Sequence, residues 1–446
     1  MPEALELYET GLNHQQQCEW DQAIAAFSEA LRLNPKYVEA HYARGNAYEA
    51  RGEHDIAIAD YNAVLKLGSN EPMAYFNRGL AYMKKGDRVQ ALADFDIALR
   101  LDPAFAKAYF SRGFAHFKGN QLEDAVADYS KAIECDPTDG DSLVSRGLAY
   151  VVRGERDKAL QDYEEAIRLR PDNARAHGNR GNALVYKGDF PGAIAEYTEV
   201  IRINPQDAKA YSNRATAHFK QQEFDQSIAD YSEAMRLDPK NSKVCCSRGI
   251  ACLIQNQRDA AMADFDEAIR LKPKNSEAHV CRGYLRAAGG LREDAIKDFT
   301  EALRVNPQFS KAYYHRGLVY ESMGKLDWAI ADYTDTIKIE PDFARAYCQR
   351  GVLYAKKGEL TLAERDFTEA VGYDPQCARA FHNRGLVHLM QKNTDAAITD
   401  FEATIALDPQ YRNAYLGRSK AYRKKGDKGR AAADEAKATE IENEMK

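Results

Sequence analysis

A chain of 446 residues with 44% hydrophobic and 29% charged side chains has enough apolar surface to fold and enough charge to stay in solution, which excludes a disordered polymer. The formal net charge of −6 argues against general nucleic-acid binding, which shows as a basic excess, so the partners expected are other proteins or peptides and no nucleic acid. No stretch approaches the roughly 18 apolar residues of a membrane span, and the opening MPEALELYET has neither a basic start nor an apolar core; the expectation is a soluble, unexported chain with no membrane segment.

The eight cysteines, at 18, 135, 245, 246, 252, 281, 348 and 377, form no CxxC pairs, so no disulfide framework is predicted and a reducing, cytoplasmic compartment fits. Length alone would predict two or more domains. A fixed period overturns that prior. Proline recurs every 34 residues at 35, 103, 137, 171, 205, 239, 273, 307, 341, 375 and 409, and the missing member of the series is Ser69. The copies ending on it are 2–35, 36–69, 70–103, 104–137, 138–171, 172–205, 206–239, 240–273, 274–307, 308–341, 342–375, 376–409 and 410–443. They predict one continuous array over 2–443, with no room for an inserted domain or linker.

Equivalent positions are numbered so that the proline is position 32; position 1 of the second copy is then Val38. Position 8 is glycine in eleven copies, with Ala215 and Ser419 the exceptions, and position 20 is alanine in twelve, with Ser227 the exception. A helical glycine costs about 1 kcal/mol relative to alanine, so a periodic one needs a packing reason, and two close antiparallel helices supply it. Position 24 is Phe or Tyr in twelve copies. Small and aromatic residues at 4, 8 and 11, then at 20, 24 and 27, give each copy two helices with one apolar stripe each. The turn between them is often KGD, as at Lys187-Gly188-Asp189, and the proline stops the second helix.

The pattern AYxNRGxAYxxKGDxxxAIxDYxxAIxLDP resembles the tetratricopeptide repeat over nearly the whole chain. That resemblance implies an all-α, right-handed superhelical solenoid of antiparallel helix hairpins, with the first helix of each repeat lining a concave face.

In chain order, the first copy lacks both members of a second pattern. Position 7 is arginine in the other twelve copies, from Arg44 to Arg418, and position 23 is acidic in the same twelve, from Asp60 to Asp434; the first copy has Thr10 and Ala26 instead. Joint absence predicts ion pairs within each repeat. The matching acids cancel the field a phosphate or RNA site would need. At the end of the second copy, Gly68-Ser69-Asn70 lacks the proline and is expected to be irregular. The seventh copy, with Ala215 and Ser227, should hold its helices further apart. In the eighth and ninth, Cys245, Cys246, Cys252 and Cys281 cluster, but Cys245 and Cys252 fall on core positions, so no metal site is assigned. Gly289-Gly290 is a second expected irregularity. Most of the histidines occupy positions 4 and 11 and read as substitutes for core tyrosines. The last segment, 430–446, has Glu435 for the usual aromatic and reads as a polar capping helix.

If ligands lie along the first helices, as the resemblance implies, the candidate binding residues follow. Position 2 is basic at Lys107, Arg175, Lys209, Lys243, Lys311, Arg345 and Arg379, and acidic at Glu39, Asp141 and Glu277. Position 13 adds Lys84, Lys118, Lys220, Lys356 and Lys424. Position 6 carries Asn77, Asn179, Asn213 and Asn383, whose amides suit a peptide backbone. A basic, amide-bearing groove predicts acidic or carboxylate-ended peptides.

The chaperone-binding members of the family carry a carboxylate clamp, which two partial sets here resemble: Asn46, Asn77 and Lys107, and Asn182, Asn213 and Lys243. Both lack its lysine at position 5 (Tyr42, Gly178) and its arginine at position 6 (Ser111, Ser247). Phe76, Phe110, Phe114, Phe117, Tyr186, Phe219 and Tyr284 are candidate anchors, those at position 9 reading rather as packing between repeats. No phosphate loop, nucleophile elbow or HExxH occurs, so no enzyme activity, cofactor or metal is predicted. The expected function is a protein-interaction scaffold or adaptor. The alternatives are a chaperone co-factor that binds C-terminal carboxylates, or a regulatory, substrate-presenting subunit of a separate enzyme.

Overall fold

The computed structural model describes residues 2–444, and the elements among them are all helices. The chain divides into two compact units, Met1–Leu237 and Asp238–Lys446. The first holds α1 (Pro2–Gln16), α2 (Trp20–Leu33), α3 (Val38–Ala50), α4 (His54–Lys66), α5 (Pro72–Lys85), α6 (Arg88–Leu101), α7 (Ala106–Lys118), α8 (Leu122–Cys135), α9 (Gly140–Arg153), α10 (Arg156–Leu169), α11 (Ala174–Lys187), α12 (Phe190–Ile203), α13 (Ala208–Lys220) and α14 (Phe224–Leu237). The second holds α15 (Ser242–Ile254), α16 (Arg258–Leu271), α17 (Ser276–Ala288), α18 (Arg292–Val305), α19 (Ser310–Ser322), α20 (Leu326–Ile339), α21 (Ala344–Lys356), α22 (Leu360–Tyr373), α23 (Ala378–Met390), α24 (Thr394–Leu407), α25 (Arg412–Lys424) and α26 (Lys428–Glu444). Within each unit every odd helix packs on the even helix after it, and that one on the next odd helix, so the predicted hairpins stack in chain order.

Local chemistry sets both helix ends. In the KGD turn, Gly188 takes a left-handed φ of +81°, the Asp189 amide donates back to the Leu184 carbonyl at 3.0 Å, and the Asp189 carboxylate accepts from the Gly192 amide at 3.0 Å to cap α12. The same turn position is left-handed in other copies without glycine, at Cys18, Asn120, Gln222, Asn256 and Lys392. Gly290, with φ +82°, occupies it too, so the Gly289-Gly290 turn is regular after all. At the other end, the residue before each proline is extended, as Asn34 (φ −135°) and Asp102 (φ −133°) show. Without a proline at Ser69, Leu67 stays near-helical (φ −78°, ψ 4°) and Gly68 turns the chain at φ +90°.

Between paired helices the glycine at position 8 makes room for the ring at position 24. A Cβ on Gly147 would lie 2.6 Å from Cε1 of Tyr163, and one on Gly79 2.7 Å from the same atom of Phe95. In the seventh copy, the buried Ser227 hydroxyl donates to the Ala215 carbonyl at 2.9 Å, which ties the two helices directly.

The arginine ladder lies inside the repeats, as joint absence predicted. Arg350 shows the full arrangement: Nε and Nη2 donate to the two carboxylate oxygens of Asp366 at 2.7 and 2.9 Å. Its Nη1 donates to Thr334 Oγ1 of the preceding repeat at 2.9 Å, and the guanidinium lies 5.7 and 5.8 Å from the Tyr347 and Tyr354 ring centres. That third bond, to position 25 of the copy before, makes many of these arginines inter-repeat ties as well: Arg44 reaches Ser28, Arg112 reaches Asp96, Arg316 reaches Thr300.

Histidines at position 4 substitute for the flanking tyrosine by bonding. His177 Nδ1 lies 2.7 Å from Glu196, and its Nε2 3.0 Å from the Pro171 carbonyl, which leaves Arg180 a single longer contact of 3.5 Å to Glu196. Competing forces set the acids. Burial pushes Asp298 up, but His279, Arg282 and Arg286 together hold it below the ordinary carboxylate range. Asp332 is raised, because burial outweighs its pairing with Arg316.

At the C-terminal end, Glu435 replaces the aromatic and the usual glycine is Ser419; the Ser419 hydroxyl and Arg423 both donate to the Glu435 carboxylate at 2.7 Å. Helix α26 buries Ala431, Asp434, Ala438 and Ile441 on one face; residues 445 and 446, at the end of the expected cap, lie outside the described residues.

Candidate functional site

Position 5 of the first helix distinguishes the sixth copy from those that carry a ring there. In six copies a ring stands there and packs on the position-24 ring: Tyr8 on Phe27, Tyr42 on Tyr61, Phe76 on Phe95, Phe110 on Tyr129, Tyr314 on Tyr333 and His382 on Phe401, at centroid distances of 5.6 to 6.0 Å. In four of them a third ring from the following loop closes on the first, as Phe105 does on Phe76 at 4.9 Å. The sixth copy has Gly178 at that place and Asp207 in the loop. A cavity of about 190 Å³ results, bounded by Gly178, Tyr197, Val200 and Ala210.

That cavity gathers five of the predicted binding residues: Arg175, Asn179 and Asn182 from α11, and Lys209 and Asn213 from α13. Asn182 Oδ1 accepts from the Tyr197 hydroxyl at 2.8 Å and from Asn213 Nδ2 at 3.3 Å. The Asp207 carboxylate accepts from the Lys209 and Ala210 amides at 3.0 Å, so its charge sits on the N-terminus of α13. Arg175 touches Ser145 (3.3 Å) and Asp141 (3.8 Å) with half its side chain exposed, and Lys209 is exposed. The cavity thus has two cations, the Asp207 carboxylate and three amides around a small apolar floor.

The other candidates are distributed differently. Asn46 and Asn77 meet in the same way: Asn46 Oδ1 accepts from Tyr61 (2.8 Å) and Asn77 (3.0 Å), while Asn77 also donates to the Tyr42 hydroxyl at 2.8 Å. The carbonyl oxygens of Asn46 and Asn182 are therefore engaged within the fold. Lys107 is exposed on α7. Lys243, the third member of the other partial clamp, belongs to the second unit, where it is exposed. Also in that unit are Lys311, near Cys281 and His315; Arg345, whose charge acts on Tyr314; Arg379, donating to Gln349 at 2.9 Å; and Asn383, hydrogen-bonded to Cys348.

Two features of this face bear on its charge. The position-13 lysines are partly spent on neighbours: Lys84 pairs with Glu49 at 2.8 Å, Lys356 with Glu321 at 3.1 Å, and Lys424 donates to the Leu389 carbonyl at 3.0 Å. The acidic members of the position-2 row are represented too: a second cavity of about 420 Å³ beside Ser69 is lined by Glu39, with Glu71, Tyr8 and Tyr42. Among the aromatic candidates, Phe76 and Phe110 belong to the core, whereas Tyr186 is 71% exposed. At position 9, Phe114 and Tyr284 are 41% and 46% exposed, more open than packing between repeats predicts, although Tyr284 stands edge-on to His315 at 5.6 Å.

Tetratricopeptide repeat models match residues 8–72, 76–140, 348–411 and 393–443, with further matches at 208–241, 310–343 and 242–275. A TPR repeat model matches 147–185 and 181–222. The chain belongs to the tetratricopeptide repeat family. As such it is a protein-interaction scaffold by class. No curated protein matches it.

Solved structures similar to this tetratricopeptide chain include the APC/C hetero-tetramer Cut9-Hcn1, with 15% identity over 98% of this chain and 93% of that one at a TM-score of 0.45. Yeast Tom70 has 20% identity over 90% and 96%, at 0.41. YrrB, described as a TPR protein with an unusual peptide-binding site, has 21% identity over 41% and 95%, at 0.37.

Within this tetratricopeptide array the cysteine cluster is core. Cys245, Cys246 and Cys252 are buried, and burial pushes the Cys246 thiol far above its usual range and Cys281 up to about 12. All eight cysteines are free thiols. No group of three or more His, Cys, Asp or Glu suited to a metal occurs among the described residues, and no helix among them is long and apolar enough to cross a membrane. Sequence reasoning missed the vacancy at Gly178. Its signal was present in the row of position 5, where Gly178 is the one glycine beside six rings and six aliphatic, cysteine or serine side chains.

Proposed function

We propose that this chain is an adaptor that binds extended, acidic peptide segments of other proteins along its first helices, with the cavity between α11 and α13 as a principal contact. The observation that carries this reading is the convergence of Arg175, Lys209, Asn179, Asn182 and Asn213 on one cavity. The two cations attract carboxylates, and the amides pair with a peptide backbone whatever its side chains. The acids Glu39 and Glu71 at the second cavity restrict the acidic ligand to part of the face.

A second reading, capture of a free C-terminal carboxylate, draws on the contact between Asn182 and Asn213. One peptide array on the purified chain tests both, with acidic peptides bearing free or amidated C-termini and neutral controls, at two salt concentrations. Salt-sensitive binding to acidic peptides of both kinds is expected. Binding lost on amidation favours the carboxylate reading, and binding no better than the neutral controls contradicts both.

A further inference from the structure

The vacancy at Gly178 has a shape that the rest of the molecule defines. Wherever position 5 carries a ring, that ring lies between the position-24 ring and, in four copies, a third ring from the loop. In the sixth copy the receiving wall is retained, with Tyr197 and Val200 in place, while both inserted rings are missing, replaced by Gly178 and Asp207. A Cβ built on Gly178 meets only Val200 Cγ2, at 3.8 Å, an ordinary contact, so nothing in the fold obliges this residue to be glycine for lack of space. Its φ is not in the left-handed region either, which leaves no backbone reason. The hole is about the size of one large side chain and opens beside Arg175 and Lys209.

We infer that the vacancy receives an aromatic side chain from the bound peptide, seated where other repeats insert their own ring, with an acidic group next to it on Arg175 and Lys209. This rests on the peptide-binding reading and adds its specificity: an aromatic residue adjacent to Asp or Glu. The ring seats against Val200 and Tyr197, the two side chains that wall the cavity in this copy. The acid fits the two cations, because the Asp207 charge is already held by the α13 amides.

The test uses the full chain and Gly178→Phe, which plugs the hole from within as Phe76 and Phe110 do in their copies; Gly178→Val is the reserve if the larger residue does not fold by circular dichroism. Two probes are compared. Saturation-transfer NMR with 3-phenylpropanoate, a ring joined to a carboxylate, should show ring-proton transfer from the wild type that is lost in the plugged variant. Acidic peptides with Phe beside Glu should bind the wild type about tenfold more tightly than the same peptides with Ala, and the plugged variant equally with either.

Equal affinity for the two peptides on the wild type would overturn the inference and leave the acidic-peptide reading standing. If neither peptide binds, that reading fails, and the 3-phenylpropanoate result alone decides the pocket: transfer that is absent, or unchanged by Gly178→Phe, overturns it.

Discussion

Arg350 and Arg168 show how differently one residue type acts in this chain. The Arg350 side chain is 9% exposed against a fully buried Asp366, and its loss leaves that carboxylate without its charged partner; such a removal costs about 3 kcal/mol or more. Arg350→Ala is therefore expected to lower hydrogen-exchange protection in α21 and α22 by about a hundredfold. Arg168, 68% exposed and paired three residues away with Glu165, should leave protection unchanged when replaced by alanine. Equal effects would contradict the structural role of the ladder.

His382 provides a pH test. Burial against Phe401 and Tyr411 depresses it to about 4, and its Nδ1 has no hydrogen-bond partner. An unfolded histidine titrates near about 6.5. Between those values the unfolded chain holds a proton that the native chain does not, so the contribution is complete above about 6.5 and is lost as pH falls toward 4. His382→Phe should flatten the dependence of stability on pH in that window by about one proton relative to wild type, measured by urea titration across pH. An unchanged slope would show that His382 accepts its proton in the folded state.

The pairing of arginine with acid was legible in sequence because both partners recur at one spacing and vanish together in the first copy. The third bond, to position 25 of the preceding repeat, was not, since its acceptor changes among serine, threonine, asparagine and aspartate.

At the scale of the helices, each turn needs one left-handed residue, and five copies supply it without glycine. An L-residue there costs about 1 kcal/mol. Gln222→Gly, at φ +64°, should accordingly raise stability by about 1 kcal/mol, measured by urea denaturation. Gly147→Ala should do the reverse: its Cβ would meet the Tyr163 ring at 2.6 Å, and a loss of about 1–3 kcal/mol is expected as the helices are forced apart. A neutral result would mean that the ring gives way freely. Helix limits were readable from proline and KGD because both act locally. The glycine's true neighbour, a ring sixteen residues on, needed the hairpin geometry, and so did the regularity of Gly289-Gly290, which composition alone makes look weak.

For the molecule as a whole, the period revealed the repeat fold at once, since one hairpin cannot bury its own apolar faces and its neighbours must. The site was legible only in part. Residue types at positions 2 and 6 identified Arg175, Asn179, Lys209 and Asn213, and the clamp comparison added Asn182; what brings them round a cavity is an omission at Gly178, and an omission carries no chemistry of its own in a sequence. The lysines of position 13 misled because their carboxylate and carbonyl partners lie one repeat earlier.

Arg175 and Lys209 are the groups proposed to hold an acidic segment. Calorimetric titration of an array-selected acidic peptide into wild type and into the Arg175→Glu, Lys209→Glu double variant tests that role most directly. Affinity at least about tenfold weaker in the variant is expected, with reduced salt dependence and an unchanged melting profile. Undiminished affinity would place the binding surface elsewhere and contradict it.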